Sequence, residues 1–207
     1  MKPLTFFVLL VLGVGAAHAD VPNPGASSMP PGLTLVGYAG TTADPLGSAT
    51  FVIRHLGGAP MSGSVVVIDF SACTDARLSA DALEPGFLLD CANHAIRGFT
   101  DRNGMITFHI VGSGNGGPPR ALPACAAVYA DGVAFGSLAV SDYDLDGMNG
   151  VTVSDLSIAY RDGLSGQYRA RSDFDFNGEV NALDLGRLYR VMLASGSVTS
   201  GAGTCGP

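Results

Sequence analysis

The chain has 207 residues and a formal net charge of −7, with 18 acidic against 11 basic side chains, 29 glycines and no tryptophan. That balance excludes a nucleic-acid surface, which needs clustered Lys and Arg; Lys2 is the single lysine, and every other base is arginine. The length suits one well-packed domain with a small appendage.

Lys2, the apolar run Leu4–Val14 and the small residues Ala17-His18-Ala19 before Asp20 follow the order of a cleavable secretory signal over residues 1–19. The run is too short to span a bilayer. The expected mature chain begins near Asp20 and works outside the cytosol, secreted or at a bacterial cell surface. In that oxidising setting Cys73, Cys91, Cys125 and Cys205, with no CxxC pair among them, read as two structural disulfides. Three pairings exist. The expected one joins Cys73 to Cys91 as a local staple and Cys125 to Cys205 as a tie from the tail, residues 197–207, back to the body. The second bond would close a long loop, where a cross-link restricts the unfolded chain most.

Residues 20–32 form a Pro/Gly/Ser-rich leader without apolar periodicity. Seven short apolar runs follow: Leu33–Tyr38, Thr50–Arg54, Ser64–Phe70, Ala95–Phe99, Met105–Val111, Ala124–Tyr129 and Val133–Val140. Their length, spacing and Val/Ile/Phe/Thr content predict an antiparallel β-sandwich. Ile106, Phe108 and Ile110 alternate with Thr107 and His109, the period of a half-buried strand. Asp131-Gly132 predicts a tight hairpin turn.

Thr100-Asp101-Arg102-Asn103-Gly104-Met105-Ile106-Thr107-Phe108 resembles the TDxNGxAxF signature of bacterial immunoglobulin-like domains of the invasin/intimin type. Gly57–Gly63 followed by Ser64–Phe70 resembles the turn and strand of the same domains. The resemblance implies an Ig-like sandwich over residues 33–140, used as a spacer, adhesive or binding module, and implies no catalysis. Asp69, Glu84, Asp90 and Asp101 are acids of the type glycosidases pair, but no spacing sets two of them against each other. His55, His94 and His109 form no HxH or HExxH pattern, and Gly112–Gly117 lacks the GK[ST] of a phosphate cradle and reads as a flexible loop. The chain is expected not to be an enzyme.

Half of the acidic residues lie after Ser141. Asp173–Asp184 reads D-F-D-F-N-G-E-V-N-A-L-D, with oxygen-bearing side chains at loop positions 1, 3, 5, 9 and 12 and glycine at 6. Those are the positions from which a calcium loop supplies six to eight hard oxygens, position 7 giving a backbone carbonyl. Position 12 is Asp rather than the usual Glu. A shift of 29 residues lays Asp173, Asp175, Val180, Asp184, Leu185, Tyr189, Arg190 and Leu193 on Asp144, Asp146, Val151, Asp155, Leu156, Tyr160, Arg161 and Leu164. Each unit is therefore a loop followed by a helix. Leu156/Tyr160/Leu164 and Leu185/Tyr189/Leu193 form helical stripes, expected to pack the two helices antiparallel.

This duplication resembles a type I dockerin, a family with two F-hand calcium loops, each followed by a helix, that docks onto a cohesin domain. The resemblance covers residues 141–196 and implies a small all-α, calcium-stabilised module. Carried over by position, the second site would use Asp173, Asp175, Asn177, the carbonyl of Glu179 and Asp184, with Asn181 acting through water. The first would use Asp144, Asp146, the carbonyl of Gly150 and Asp155. Its position 5 is Met148, a soft ligand that calcium disfavours, so the first site is expected to be weaker. A second register, starting at Asp142, places Asp142, Asp144 and Asp146 at positions 1, 3 and 5. Positions 10 and 11 differ between the repeats, Val153-Ser154 against Ala182-Leu183.

Together these readings predict a mainly β, secreted, calcium-binding protein without catalysis: an Ig-like sandwich followed by a dockerin-like module that attaches it to a cohesin-type partner. The alternative is an extracellular glycan-binding accessory of a polysaccharide-degrading assembly.

Overall fold

The computed structural model describes residues 20–39, 42–43, 45–80, 83–115, 124–195 and 204–205. The expected signal segment 1–19 lies outside them, as does most of the tail. The chain is mainly β. Its strands are β1 (Gly32–Leu35), the two-residue pair β2 (Tyr38–Ala39) and β3 (Thr42–Ala43), β4 (Ala49–Val52), β5 (Val65–Asp69), β6 (Ala76–Ser79) and β7 (Leu88–Asp90). There follow β8 (Ala95–Phe99), β9 (Met105–Phe108), β10 (Gly112–Gly114), β11 (Ala124–Ala130) and β12 (Val133–Asp142). Helices α1 (Val153–Leu164) and α2 (Ala182–Ser195) come next, then β13 (Thr204–Cys205).

Six strands form one sheet in the order β1-β12-β11-β5-β8-β7. β1 runs parallel to β12, and the other neighbours are antiparallel. Register shifts at Ala124/Ala126 and Val128/Tyr129 between β11 and β12 mark bulges, which increase local twist and curl a sheet. The short ladders β4-β9 and β10-β6-β13 complete the fold. Val66, Ile68, Ile96, Val128, Leu138 and Val140 from the large sheet share a buried core with Phe51, Leu78, Ile106 and Phe108 from the small ones.

Local chemistry explains several of these elements. The β11–β12 turn places Asp131 and Gly132 at φ 46° and 82°, the paired left-handed conformation that suits a two-residue hairpin. Asp131 also accepts hydrogen bonds from Ser64 Oγ and the Val65 amide, tying the turn to β5. In the Thr100–Gly104 signature, Asp101 Oδ1 accepts the amides of Asn103 and Met105, and Thr100 Oγ1 donates to the Met61 carbonyl. The motif is thus a structural turn between β8 and β9.

The expected Ig-like sandwich followed by an independent all-α module is not what the chain forms. The large sheet has a parallel edge pair and curls, and the helices are not a separate body. Val36 and Val111 from the β region share one buried cluster with Tyr143, Leu145, Phe174, Ala159, Leu188 and Val191. Two helices of 12 and 14 residues have too little apolar surface to bury between themselves, and the strand ends supply the rest. The predicted helix stripes pack only at their first positions, Leu156 and Leu185, which are half-buried against this cluster; Tyr160, Leu164, Tyr189 and Leu193 are exposed, and the fully buried inward positions are Ala159, Leu188 and Val191.

The expected run Met105–Val111 also divides. β9 ends at Phe108, and Gly112–Gly114 becomes a buried strand beside β6 instead of flexible loop. The disulfides are Cys73–Cys125 and Cys91–Cys205, not the expected Cys73–Cys91 and Cys125–Cys205. Strand order decides this. β11, which carries Cys125, lies beside β5, which leads to Cys73, and β13 brings Cys205 onto β6.

One buried guanidinium ties these parts together. Arg171, in the 3-10 turn Ala170–Ser172, donates to both carboxylate oxygens of Asp75 and to the Val140 carbonyl. Its Nε lies 3.5 Å from Asp142 Oδ2, and all three charged groups are buried. Replacing Arg171 with Met leaves two carboxylates without their counter-charge, a change that costs about 3–5 kcal/mol for buried pairs. Guanidinium-chloride unfolding should show a loss of that size. Arg171→Lys should not restore it, because an ammonium lacks the forked geometry.

Candidate metal centre

The two acidic loops have the same construction. β12 runs directly into the first, and the buried turn at Ala170–Ser172 leads into the second. In the first, Asp144, Asp146 and Asp155 bring carboxylate oxygens within 4.8 Å of one another; in the second, Asp173, Asp175 and Asp184 do the same. The backbone supports each set equivalently. The Met148 amide donates to Asp144 Oδ1 (3.1 Å) and Asp146 Oδ1 (2.9 Å), and the Asn177 amide donates to Asp173 Oδ1 and Asp175 Oδ1 (both 3.2 Å). The amides of Asp146 and Thr152 hold Asp155, and those of Asp175 and Asn181 hold Asp184.

The loops also turn at equivalent points. Gly147 and Phe176 have φ 69° and 59°, and Asn149 and Gly178 have φ 64° and 90°. Every correspondence falls on the 29-residue shift. The register starting at Asp142 does not describe the geometry, since Asp142 is fully buried and faces Arg171.

The last aspartate of each loop also opens a helix. Thr152 and Asp155 form a capping box at the start of α1, and Asn181 Oδ1 accepts the Leu183 amide at the start of α2 while Asp184 takes the Asn181 amide. A carboxylate at the third helical position therefore caps the helix and completes the donor set.

The remaining expected ligands sit on the same loops. Asn177 Oδ1 accepts the Glu179 amide, while the Glu179 side chain is exposed. Gly150 is buried at φ 70°. Sequence reading missed Tyr168, whose hydroxyl donates to Asp173 Oδ2 at 2.9 Å. Burial, and then the bond to Asp173, pushes the Tyr168 hydroxyl up.

It also missed how the first loop is seated. A Cβ on Gly114 would lie 2.5 Å from the Leu145 carbonyl, and one on Gly147 would lie 2.4 Å from the Gly114 carbonyl. Glycine at both positions lets the loop lie flush on β10, where the Gly114 amide donates to the Asp144 carbonyl.

The donor sets fit a hard cation, because every gathered side-chain ligand is a carboxylate oxygen. Their electrostatics point the same way. Burial, opposed by the Thr152 and Asp146 amides and reinforced by Asp144 and Asp146, raises Asp155 to about 6. Burial likewise raises Asp184, with Asp175 and Asp173 adding to it. A cation removes both penalties.

Four other acids among the described residues have separate surroundings. Glu84 lies 3.0 Å from His109, Asp101 holds its own turn, and Asp69 and Asp90 flank Ala95 on neighbouring strands. Hydrogen bonds from Asn93 hold Asp90 below the usual carboxylate range, unsuited to donating a proton. Among the described residues no helix is long and apolar enough to cross a membrane, and two disulfides are in keeping with an oxidising, extracellular setting. No family model matches the chain, and neither does any curated protein or solved structure in the comparisons made.

A carboxyl whose value rises on folding stabilises the fold while protonated. That stabilisation is full below the unfolded value near 4 and is gone above the folded one. Asp142 is raised to about 7, by burial that outweighs the opposing Arg171, and Asp155 to about 6. In EDTA the thermal midpoint should therefore rise as pH falls from 7.5 to about 5. With a divalent cation bound the trend should invert, because protons compete with the metal for Asp155. Melting curves across that range, with and without added divalent cation, check both signs.

Proposed function

We propose that the two acidic loops hold calcium and that the metal-braced helix pair attaches this secreted protein to an extracellular partner protein. The observation that carries the reading is the pair of matching donor sets, each opening a helix whose repeat-related Tyr160/Tyr189 and Leu164/Leu193 remain in solvent. Calcium is the natural occupant because the ligands are hard, anionic and loop-borne, and a site with Asp rather than Glu at its last position still offers an oxygen there. The second site is the stronger, since Asn177 can add an oxygen where Met148 cannot.

The resemblance to type I dockerins supports a cohesin-type partner. Tyr160, Leu164, Tyr189 and Leu193 are exposed at repeat-related positions, and Leu156, Ser157, Tyr160, Arg161 and Leu185 line a groove of about 460 Å³ between the helices. Arg161 and Arg190, both exposed, each donate to the carbonyl four residues earlier and can meet acidic groups on a partner. An apolar centre with arginine at its edge is the composition of a protein interface. The face belongs to a helix pair rooted in the β body, so the whole chain is the unit to test.

Calorimetric titration of the whole protein with calcium should show one tighter and one weaker event. Asp173→Ala should weaken the tighter by at least about tenfold, whereas Asp144→Ala should affect only the weaker. Leu164→Glu with Leu193→Glu should abolish capture by immobilised cohesins and leave calcium uptake intact. Absence of calcium uptake at millimolar concentration overturns the metal assignment; calcium uptake with no cohesin captured overturns the partner class.

A further inference from the structure

The outer face of the six-stranded sheet carries a polar hollow that neither the acidic loops nor the helix face uses. Ala95 on β8 is paired with Asp69 on β5 and with Asp90 on β7, so the two aspartates stand on either side of a small residue in one row. Two residues along β8, Arg97 is paired with Val67 and Leu88, and Tyr129 on β11 is the next neighbour of Val67. Directly paired side chains, and those two residues apart, share a face. Together with Asn93 they surround a depression of about 320 Å³ floored by Ala95 and Val67.

The polar groups around this hollow keep hydrogen-bonding capacity in hand. Among the described residues Arg97 and the Tyr129 hydroxyl have no hydrogen-bond partner, and Asp69 uses Oδ1 alone, on the Ser71 amide. Asp90 accepts the amide and the side-chain amide of Asn93, leaving the Asn93 carbonyl oxygen open. Acceptors at Asp69 and Asn93 thus stand one row, two residues or roughly 7 Å along the strands, from the five-donor fork of Arg97 and the Tyr129 hydroxyl, neither of which donates a hydrogen bond within the described residues.

Charge and shape select the ligand class. Two carboxylates repel an anion, and one guanidinium opposes a basic peptide. The only acidic groupings suited to a metal ion among the described residues are in the two loops. A neutral polyhydroxylated molecule meets every requirement. Each hydroxyl both donates and accepts, and the apolar side of a sugar ring can lie on the Tyr129 face. Half-exposed Leu88 and Phe99 lie on the same face of the sheet beyond Arg97.

We infer that this face binds a neutral oligosaccharide, with Tyr129 as the stacking platform and Asp69, Asn93 and Arg97 as hydrogen-bonding partners.

The test is calorimetry of the whole calcium-loaded protein with cellohexaose, xylohexaose and mannohexaose, and with oligogalacturonate as the anionic control. At least one neutral chain should bind, with an affinity in the micromolar-to-millimolar range typical of small ligands. Tyr129→Ala and Arg97→Ala should each weaken it about tenfold, while Leu164→Glu on the helix face leaves it unchanged. Arg97 is exposed, so its variant keeps the measurement meaningful even if Tyr129→Ala lowers the thermal midpoint. No neutral oligosaccharide binding, binding of the anionic control alone, or neutral binding indifferent to both variants overturns the inference.

Discussion

The fold depends on where the Arg171 guanidinium sits. Its residue belongs to the turn that leads into the second acidic loop, yet its partners are Asp75, at the start of β6, and Val140 and Asp142 at the end of β12. The same group lies 3.4 Å from Cys125 Sγ, a sulfur of the disulfide to Cys73. One buried cation therefore joins the acidic repeat, the last long strand and a cross-link of the body. A single positive charge among two buried carboxylates is balanced only if one of them holds a proton, and Asp142 is the one raised to about 7. Such an arrangement is a costly way to stabilise a protein and a selective way to specify one packing, because any displacement leaves a charge in an apolar interior.

Close backbone approach performs the same service for the first loop. Glycine at positions 114 and 147 removes the side chains that would separate the loop from β10, and Gly32 leaves room for the Phe176 ring of the second loop. Both loops are thereby seated on the strand region, and the helices that follow inherit their positions from it. Calcium, as proposed, would neutralise carboxylates that the fold already holds in place through backbone amides.

The aspartate in the third helical position of α1 shows how economically the repeat is built. Asp155 accepts amides from its own cap and from its own loop, so losing its carboxylate frays the helix and opens the metal set together. Inward burial falls to Ala159 on α1 and Leu188 and Val191 on α2, with Leu156, Ile158, Leu185 and Met192 half-buried at its edge. That leaves Tyr160, Leu164, Tyr189 and Leu193 exposed for a partner, the feature on which the proposed attachment role rests.

From its residues alone the chain determined the 29-residue duplication, the three aspartates of each loop, the turn at Asp131-Gly132 and most strand positions. All of these are local: spacing along the chain dictates which side chains converge within one turn or alternate along one strand. Its residues also showed four cysteines suited to disulfides, but not their pairing, and an arginine at position 171, but not its burial. The parallel β1–β12 edge, the union of helices with strand ends and the row of Asp69, Ala95 and Asp90 across three strands were decided by the tertiary structure. Each depends on which segments become neighbours across tens of residues, and neighbourhood is set by how the whole sheet closes over its core rather than by any one stretch of sequence.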